Sequence, residues 1–426
     1  MLDIKFIREN ADLIREGAKK KHIDFDLTTL IDLDVKRLEK LAVVESLRTE
    51  QNKMSDEIPK MTDAGERGVA IAKMKILKDD LKQHEDTLRE IMVLWQKEML
   101  LVPNIPDMSV PEGESDADNQ EIKVWGEKPH FDFEAKDHVE LMTNLKMVDF
   151  ERGTKVNGFS GYFLTVDGVR LSMAIWNYAM DFFSARGFLP MLPPIIDRRE
   201  IFFGTGYLPQ GEEDLYKTQD GDFLAGTAEV PIMGYHADEV LDIKELPKKY
   251  LGFSPCYRRE AGSHSKDVKG LIRVHEFYKC EQVILCEASH ETSVTHHEEI
   301  RLHAEEMMEE LGIPYHTVIN CGGDLGLGQV KKYDIEAWMP SQEKYRETHS
   351  ASYFHDFQTR RLNIRYKDAE GKLRYTHSLN NTAAATPRII TAIIENYQQA
   401  DGTIRVPEVL IPFMGGTTVL GKAFRS

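Results

Sequence analysis

The sequence is short of cysteine, of long apolar runs and of positive charge, and each shortage removes a class of protein. Its four cysteines, Cys256, Cys280, Cys286 and Cys321, show neither CxxC spacing nor a paired-histidine pattern. That excludes a disulfide scaffold and a zinc module, and leaves free buried thiols. His290 and the pair His296-His297 are then expected to be solvent-facing helix residues and not ligands. No apolar run approaches the roughly 20 residues that cross a bilayer. Charges begin at Asp3 and Lys5, with no signal-peptide pattern, so no membrane partner is expected and the cytoplasm is the expected compartment. The 54 Lys+Arg face 71 Asp+Glu, a formal net charge of −17, which argues against a nucleic-acid partner because phosphate neutralisation dominates such binding.

The distribution of charge softens that last objection. Residues 1–100 hold 19 basic against 21 acidic residues, so most of the excess acid lies beyond them, and within 36–82 the count is 11 basic to 9 acidic. A local RNA contact is therefore permitted in this stretch. The same stretch is strongly periodic. Ala70, Met74, Leu77, Leu81, His84, Leu88, Ile91 and Trp95 recur at alternating steps of four and three, and Val44, Leu47, Met54, Ile58 and Met61 keep that spacing upstream with only Gln51 interrupting. This is the seam of a supercoiled helix pair. Thr62-Asp63-Ala64-Gly65-Glu66 reads as the connector and Pro59 as a bend in, or the end of, the first helix, which predicts an antiparallel hairpin with arms of roughly 50 Å.

At 426 residues with 41% apolar side chains the chain can fill more than one core. Pro103, Pro106, Pro111 and the run Glu112-Gly113-Glu114-Ser115-Asp116 read as an acidic, breaker-rich linker. Beyond it, a helical pattern over His297–Leu311 alternates with strand-like segments at Tyr250–Tyr257, Glu276–Cys286, Tyr333–Trp338 and Ser352–Gln358. The class is α+β, with an antiparallel sheet. Gly322 to Gly328 lacks the GK[ST] ending of a phosphate loop and is read as a tight turn.

Two strand-like segments carry a chemical signal. Cys256-Tyr257-Arg258-Arg259-Glu260 and Arg273-Val274-His275-Glu276-Phe277-Tyr278-Lys279-Cys280-Glu281 flank a polar loop, Ala261 to Asp267. Strand alternation places Arg258 with Glu260, and Arg273, Phe277 and Glu281 together. Guanidinium forks match phosphate oxygens, an aromatic face stacks on a base, and a carboxylate accepts from an ammonium or exocyclic N–H.

These residues resemble motif 2 of the class II aminoacyl-tRNA synthetases, in the form found in seryl-tRNA synthetases. Arg186-Gly187-Phe188-Leu189-Pro190-Met191-Leu192-Pro193-Pro194 is similar to motif 1, and Asn380-Asn381-Thr382 through Pro387-Arg388 to motif 3. Thr227-Ala228-Glu229, Tyr345-Arg346-Glu347, Asp356-Phe357-Gln358 and Glu395 to Gly402 extend the likeness to essentially the whole chain. The resemblance implies a tRNA-binding domain with a helical arm over 1–105, and over 106–426 a catalytic domain with the class II antiparallel sheet flanked by helices. Lys53-Met54-Ser55-Asp56 looks like the KMSKS signature of class I enzymes, but it sits on the heptad helix with no HIGH partner.

The site residues follow from the resemblance. Arg258 is expected on the α-phosphate and substrate carboxylate, and Glu260 on the adenine amino group, with Arg259 beside them. Phe277 is expected to stack on adenine, and Arg273 and Arg388 to hold the γ-phosphate and cover the base. Thr386-Pro387 reads as a cap and first-turn proline, which would put Arg388 at a helix N-terminus. Glu347, Thr348, His349 and Ser350 are expected around ATP, with Glu347 and Ser350 ligating Mg2+; His349 departs from the family pattern. Thr227, Ala228, Glu229, Glu281 and Thr382, with Arg258, are expected to hold L-serine. Arg258 and Arg388 carry the catalytic role by stabilising charge.

The implied function is an ATP-dependent serine–tRNA ligase that forms seryl-adenylate and charges tRNA(Ser), with tRNA(Sec) as a further acceptor. The arm would hold the tRNA through residues such as Arg48, Lys53, Lys60, Arg67, Lys73, Lys75, Lys78 and Lys82, and motif 1 would form a homodimer. Two alternatives are a serine-activating ligase that loads a carrier protein and a non-catalytic tRNA-binding paralogue.

Overall fold

The structure is a computed structural model that describes residues 1–261 and 270–421. The greater part of the expected loop Ala261 to Asp267 lies outside the described residues. The chain divides into two compact units: Asp3–Lys19 with Ile23–Pro103, and Met1–Leu2, Lys20–His22 and Asn104–Ser426.

The N-terminal unit is dominated by two helices, α1 (Leu27–Glu57) and α2 (Ala64–Leu101). Each starts on an aspartate that satisfies orphan backbone donors. Asp26 accepts from the amides of Thr28 and Thr29, and Asp63 from that of Glu66. α1 stops at Glu57 because Ile58–Lys60, with Pro59 in it, tightens into a 3₁₀ turn. Ala64 already belongs to α2, so the connector is shorter than the sequence suggests. The heptad seam is the buried one: Val44, Ala70, Met74, Leu77 and Leu81 are buried, and Leu47, Gln51, Met54, Ile58, Met61, His84, Leu88, Ile91 and Trp95 are half-buried. Arg48 crosses to Glu85 at 2.7 Å and Lys40 to His84 at 3.0 Å, as an antiparallel pair requires. At 38 residues, α2 is about 57 Å long.

The larger unit is built on an eight-stranded sheet of β1 (Gln120–Trp125), β2 (Leu189–Met191), β3 (Lys248–Tyr257), β4 (Glu276–Cys286), β5 (Tyr315–Ile319), β6 (Lys331–Met339), β7 (Lys344–Tyr353) and β8 (His377–Thr386). The spatial order is β1-β5-β6-β7-β8-β4-β3-β2. Every pairing is antiparallel except β2 with β3 at one edge, which is parallel. Helices α3 (Asp167–Ser184), α4 (His290–Glu310) and α5 (Arg388–Asn396) bury their apolar sides in the main core against this sheet.

Several expectations change here. Ser352–Gln358 is not one strand: β7 ends at Tyr353 and Phe357 opens a short helix to Arg361. His297 does not face solvent. It is 1% exposed, stacks on Tyr333 with ring centroids 4.8 Å apart and bonds the Ala351 carbonyl at 2.9 Å, because its side of α4 packs on the sheet. The acidic linker is not free chain. Asn104 is buried and donates to the carbonyls of Gly328 and Phe354, and Pro111 and Gly113 accept from Gly322 and Gly323. All four cysteines are free and buried, as their spacing suggests. Gly322–Asp324 forms a single 3₁₀ turn before β6.

Candidate active site

Alternation along β4 builds the floor of the site. Cys280, Gln282, Ile284 and Cys286 point to the side of α4, where Gln282 Nε2 donates to the Ile300 carbonyl and the other three join the main core. Residues of the opposite parity face the other way: Phe277 and Lys279 line a cavity of about 520 Å³, while Val283 and Leu285 close a second core against the helix Glu229–Tyr235. Thr382 of β8 pairs in register with Glu281, and Ala385 with Lys279, which places them on the same face.

Of the residues singled out from sequence, Arg258, Glu260, Arg273, Phe277, Glu347, Thr348, Thr382 and Arg388 line this cavity. The route for Glu260 differs from the expected one. β3 ends at Tyr257, so alternation does not reach Glu260, whose φ is +52°. That left-handed turn brings it into an ion pair with Arg273. Arg273 likewise precedes β4. The Arg258 guanidinium lies 5.3 Å from the centre of the Phe277 ring, and its Nε donates to the Gly226 carbonyl at 3.3 Å. Arg388 does open α5, but Thr386 is no cap: it ends β8 and donates to the Tyr278 carbonyl. Arg388 Nη1 donates to the Glu347 carbonyl at 2.7 Å and lies 3.4 Å from its carboxylate.

A bulge decides what the next segment offers. Glu347 pairs with Glu336 and His349 with Ile335, so Thr348 is the extra residue of β7. The insertion turns Glu347 and Ser350 to one face, with Asp334 and Glu336 of β6, and turns His349 to the other. His349 is fully buried there, its imidazole pushed down to about 4 by burial, and is not among the residues lining the cavity. The carboxylate face borders a recess of about 710 Å³ that shares Ile272, Arg273, Glu347 and Arg388 with the first cavity. Partial desolvation would raise the Glu347 carboxyl, whose side chain is 46% exposed, but the charges of Arg388, Lys332 and Arg258 outweigh it and hold it below its ordinary range. Burial lifts Asp334 to about 6, against the pull of Lys332. Among the described residues no group of three or more His, Cys, Asp or Glu side chains is placed to hold a metal alone. Glu347, Ser350 and Asp334 nevertheless offer the hard oxygen donors that Mg2+ takes when substrate phosphates supply the rest.

At the floor, Lys279 is ion-paired with Glu281, and Thr227 Oγ1 accepts from Lys279 at 2.9 Å and donates to Glu281 at 3.2 Å. Thr227, Glu229 and Glu281 are buried behind the lining. Glu229 accepts from Gln358 at 2.6 Å and from Tyr207 at 3.0 Å. Burial raises its carboxyl above the ordinary range, against the hydrogen bond from Gln358. Ala228 packs in the second core and Arg259 is exposed, so neither side chain is part of the lining. Lys279 was missed from sequence, as were Tyr207 and Gln358. The alternation that selected Phe277 and Glu281 also points to Lys279 midway between them.

Comparison with known proteins agrees with this geometry. Residues 216–397 match the family model of the tRNA synthetase class II core domain (G, H, P, S and T), so sheet and cavity together define a class II aminoacyl-tRNA synthetase core. Residues 1–106 match the seryl-tRNA synthetase N-terminal domain. The serine–tRNA ligase of Deinococcus radiodurans is 46% identical over 100% of both chains. Among solved structures, seryl-tRNA synthetase from Pyrococcus horikoshii complexed with ATP has a TM-score of 0.89 at 38% identity, covering 99% of each chain. Cytoplasmic serine–tRNA ligase from Naegleria fowleri in complex with AMP has a TM-score of 0.84 at 31% identity, over 99% of this chain and 98% of that one. The chain belongs to the seryl-tRNA synthetase family.

Proposed function

We propose that this chain activates L-serine with ATP and transfers the seryl group to the 3′ end of tRNA(Ser). The observation that carries the reading is one cavity with an arginine rim and a floor of Lys279 and Thr382, backed by the buried Glu281 and Thr227, in a chain alike over its full length to serine–tRNA ligases. Thr382 on the floor, with Thr227 and Glu281 buried directly behind it, suits an amino acid's ammonium and a short hydroxyl side chain. The rim of Arg258, Arg273 and Arg388 suits phosphates, and Phe277 an adenine ring.

In this reading the serine carboxylate attacks the α-phosphorus, pyrophosphate leaves, and the terminal adenosine hydroxyl of the tRNA then takes the seryl group. No side chain forms a bond to substrate. Arg258 and Arg388 act by positioning and by stabilising charge that grows in the transition state. Glu347 and Ser350, with Asp334 beside them, would hold Mg2+, which neutralises phosphate charge when bound. His349 faces the core, so its contribution at the nucleotide is to shape the backbone and not to touch ATP. A site that bonds a hydroxyl rejects alanine by about 10⁴ because its polar groups would be left unpaired.

The hairpin is assigned to tRNA. Lys53, Lys60, Arg67, Lys73, Lys75, Lys78 and Lys82 are exposed along it and available to phosphates; Arg48 is already paired with Glu85. A homodimer is assigned to the motif 1 region. β2 is an edge strand whose neighbourhood exposes Leu189 by 62% and Leu192 by 79%, and Val169 and Met173 of α3 are exposed as well. Apolar side chains at an open sheet edge are the kind of surface a two-fold contact covers. Neither the carrier-loading ligase nor the non-catalytic paralogue is favoured by any observation. Pyrophosphate exchange measured with each of the twenty amino acids tests the assignment: strong exchange is expected with serine alone, and strong exchange with another amino acid overturns it.

A further inference from the structure

His138 and Glu395 form a buried polar pair that the proposed chemistry does not use. His138 opens the helix His138–Asn144, and Glu395 lies two turns along α5 from Arg388. Their side chains are 4% and 0% exposed. His138 Nδ1 is 2.8 Å from Glu395 Oε1, and the His138 backbone N–H donates to the same oxygen at 3.1 Å. Glu395 Oε2 accepts from the Ser341 amide at 3.1 Å. On the far side of the ring, the Leu271 amide donates to Nε2 at 3.1 Å. A backbone amide can only donate, so Nε2 is the bare nitrogen and Nδ1 carries the hydrogen given to the carboxylate. Glu395 thereby sets the tautomer, and the tautomer provides the acceptor that Leu271 needs.

Leu271 leads directly into the cavity. The Ile272 carbonyl accepts from Arg388 Nε at 3.2 Å, and Ile272 and Arg273 line the cavity. α5 therefore grips this short stretch at two points: Arg388 takes the Ile272 carbonyl, and Glu395, through His138, takes the Leu271 amide. The fit before it is close. Gly270 has φ +83°, and a Cβ there would come within 2.1 Å of His138 Nε2.

We infer that His138 is a positioning residue for nucleotide binding, holding the Leu271 amide so that the Ile272 carbonyl and the Arg273 guanidinium stand in place at the rim. The assignment rests on the reading of the cavity as an ATP site. Two substitutions split the ring's two bonds. His138→Asn keeps a donor near the Nδ1 position for Glu395 and removes the acceptor for Leu271. His138→Gln carries its amide oxygen to the Nε2 position and loses the link to Glu395.

In the full chain, His138→Asn should raise the ATP KM of serine-dependent pyrophosphate exchange about tenfold and leave the serine KM within about twofold, because one buried amide is left without a partner. A calorimetric ATP titration should weaken by the same factor. His138→Gln should keep ATP KM near that of the unmutated protein. An unchanged ATP KM and ATP affinity in His138→Asn overturns the inference. So does a loss in His138→Gln equal to the expected tenfold, which is the decisive outcome if His138→Asn does not fold. A parallel rise of serine and ATP KM in both variants overturns it too, since that is general structural damage. Absence of serine-dependent exchange in the unmutated protein would instead overturn the ligase assignment, while the ATP titrations of the two variants would still report on the Leu271 acceptor.

Discussion

Replacing Glu281 by alanine should do two separable things: lower stability and remove serine activation. Glu281 and Lys279 form an ion pair with side chains only 4% and 7% exposed, and both reach Thr227. Removing one partner of a buried pair typically costs about 3–5 kcal/mol, because the other charge stays desolvated. Lys279 borders a cavity that water can enter, so the low end applies, about 3 kcal/mol. In a protein of this size that lowers the thermal midpoint by roughly 3 °C. The double replacement Lys279→Met with Glu281→Leu removes both charges and keeps volume, and most of the lost stability should return. Serine activation should not return, since the carboxylate proposed to take the ammonium and hydroxyl is gone in both proteins. Calorimetric melting and pyrophosphate exchange read the two effects independently. A single variant as stable as the unmutated protein refutes the buried pair, and exchange retained in the double variant refutes Glu281 as a serine ligand.

Arg258→Lys keeps the charge at the rim and loses the planar fork, so adenylate formation should fall by about 10², while near-normal turnover would contradict the role. Replacing residues 45–80 by a short turn below the Lys40–His84 crossing should leave serine-dependent exchange intact and lower tRNA charging by about 10² or more; undiminished charging would make the hairpin a structural element. Reversing Lys73, Lys75 and Lys78 to glutamate should reproduce part of that loss and flatten the salt dependence of tRNA binding. His297 supplies a pH test: burial depresses it to about 4, so below its ordinary value the unfolded chain takes up a proton that the folded one refuses. The His297 contribution to stability should therefore be fully present above about pH 6.5 and fall by about 2 kcal/mol between pH 7 and pH 5, and His297→Gln should lessen the pH dependence by that amount in urea titrations. An unchanged slope would show that the imidazole is not excluded from protonation.

Local and periodic features were open to sequence reading because their physics is local. A heptad seam, an aspartate before a helix and a proline at its end act within a few residues, and the structure buries Val44, Met74 and Leu81 and stops α1 at Glu57 accordingly. Alternation along β4 likewise places Phe277 and Lys279 in the cavity and Cys280 in the core. The resemblance to motif 2 and motif 3 brought together residues that no periodicity connects. Tertiary structure alone decided the rest. The bulge at Thr348 depends on how β7 registers against β6, and that register turns His349 inward and Glu347 with Ser350 outward. Glu260 enters the cavity only because the chain leaves its strand at Tyr257. His297 and the His138–Glu395 pair are buried by elements far away in sequence. Side-chain direction within an element follows from backbone geometry that the sequence encodes locally, whereas burial, register and ionic partners come from non-local packing, which the order of residues does not display.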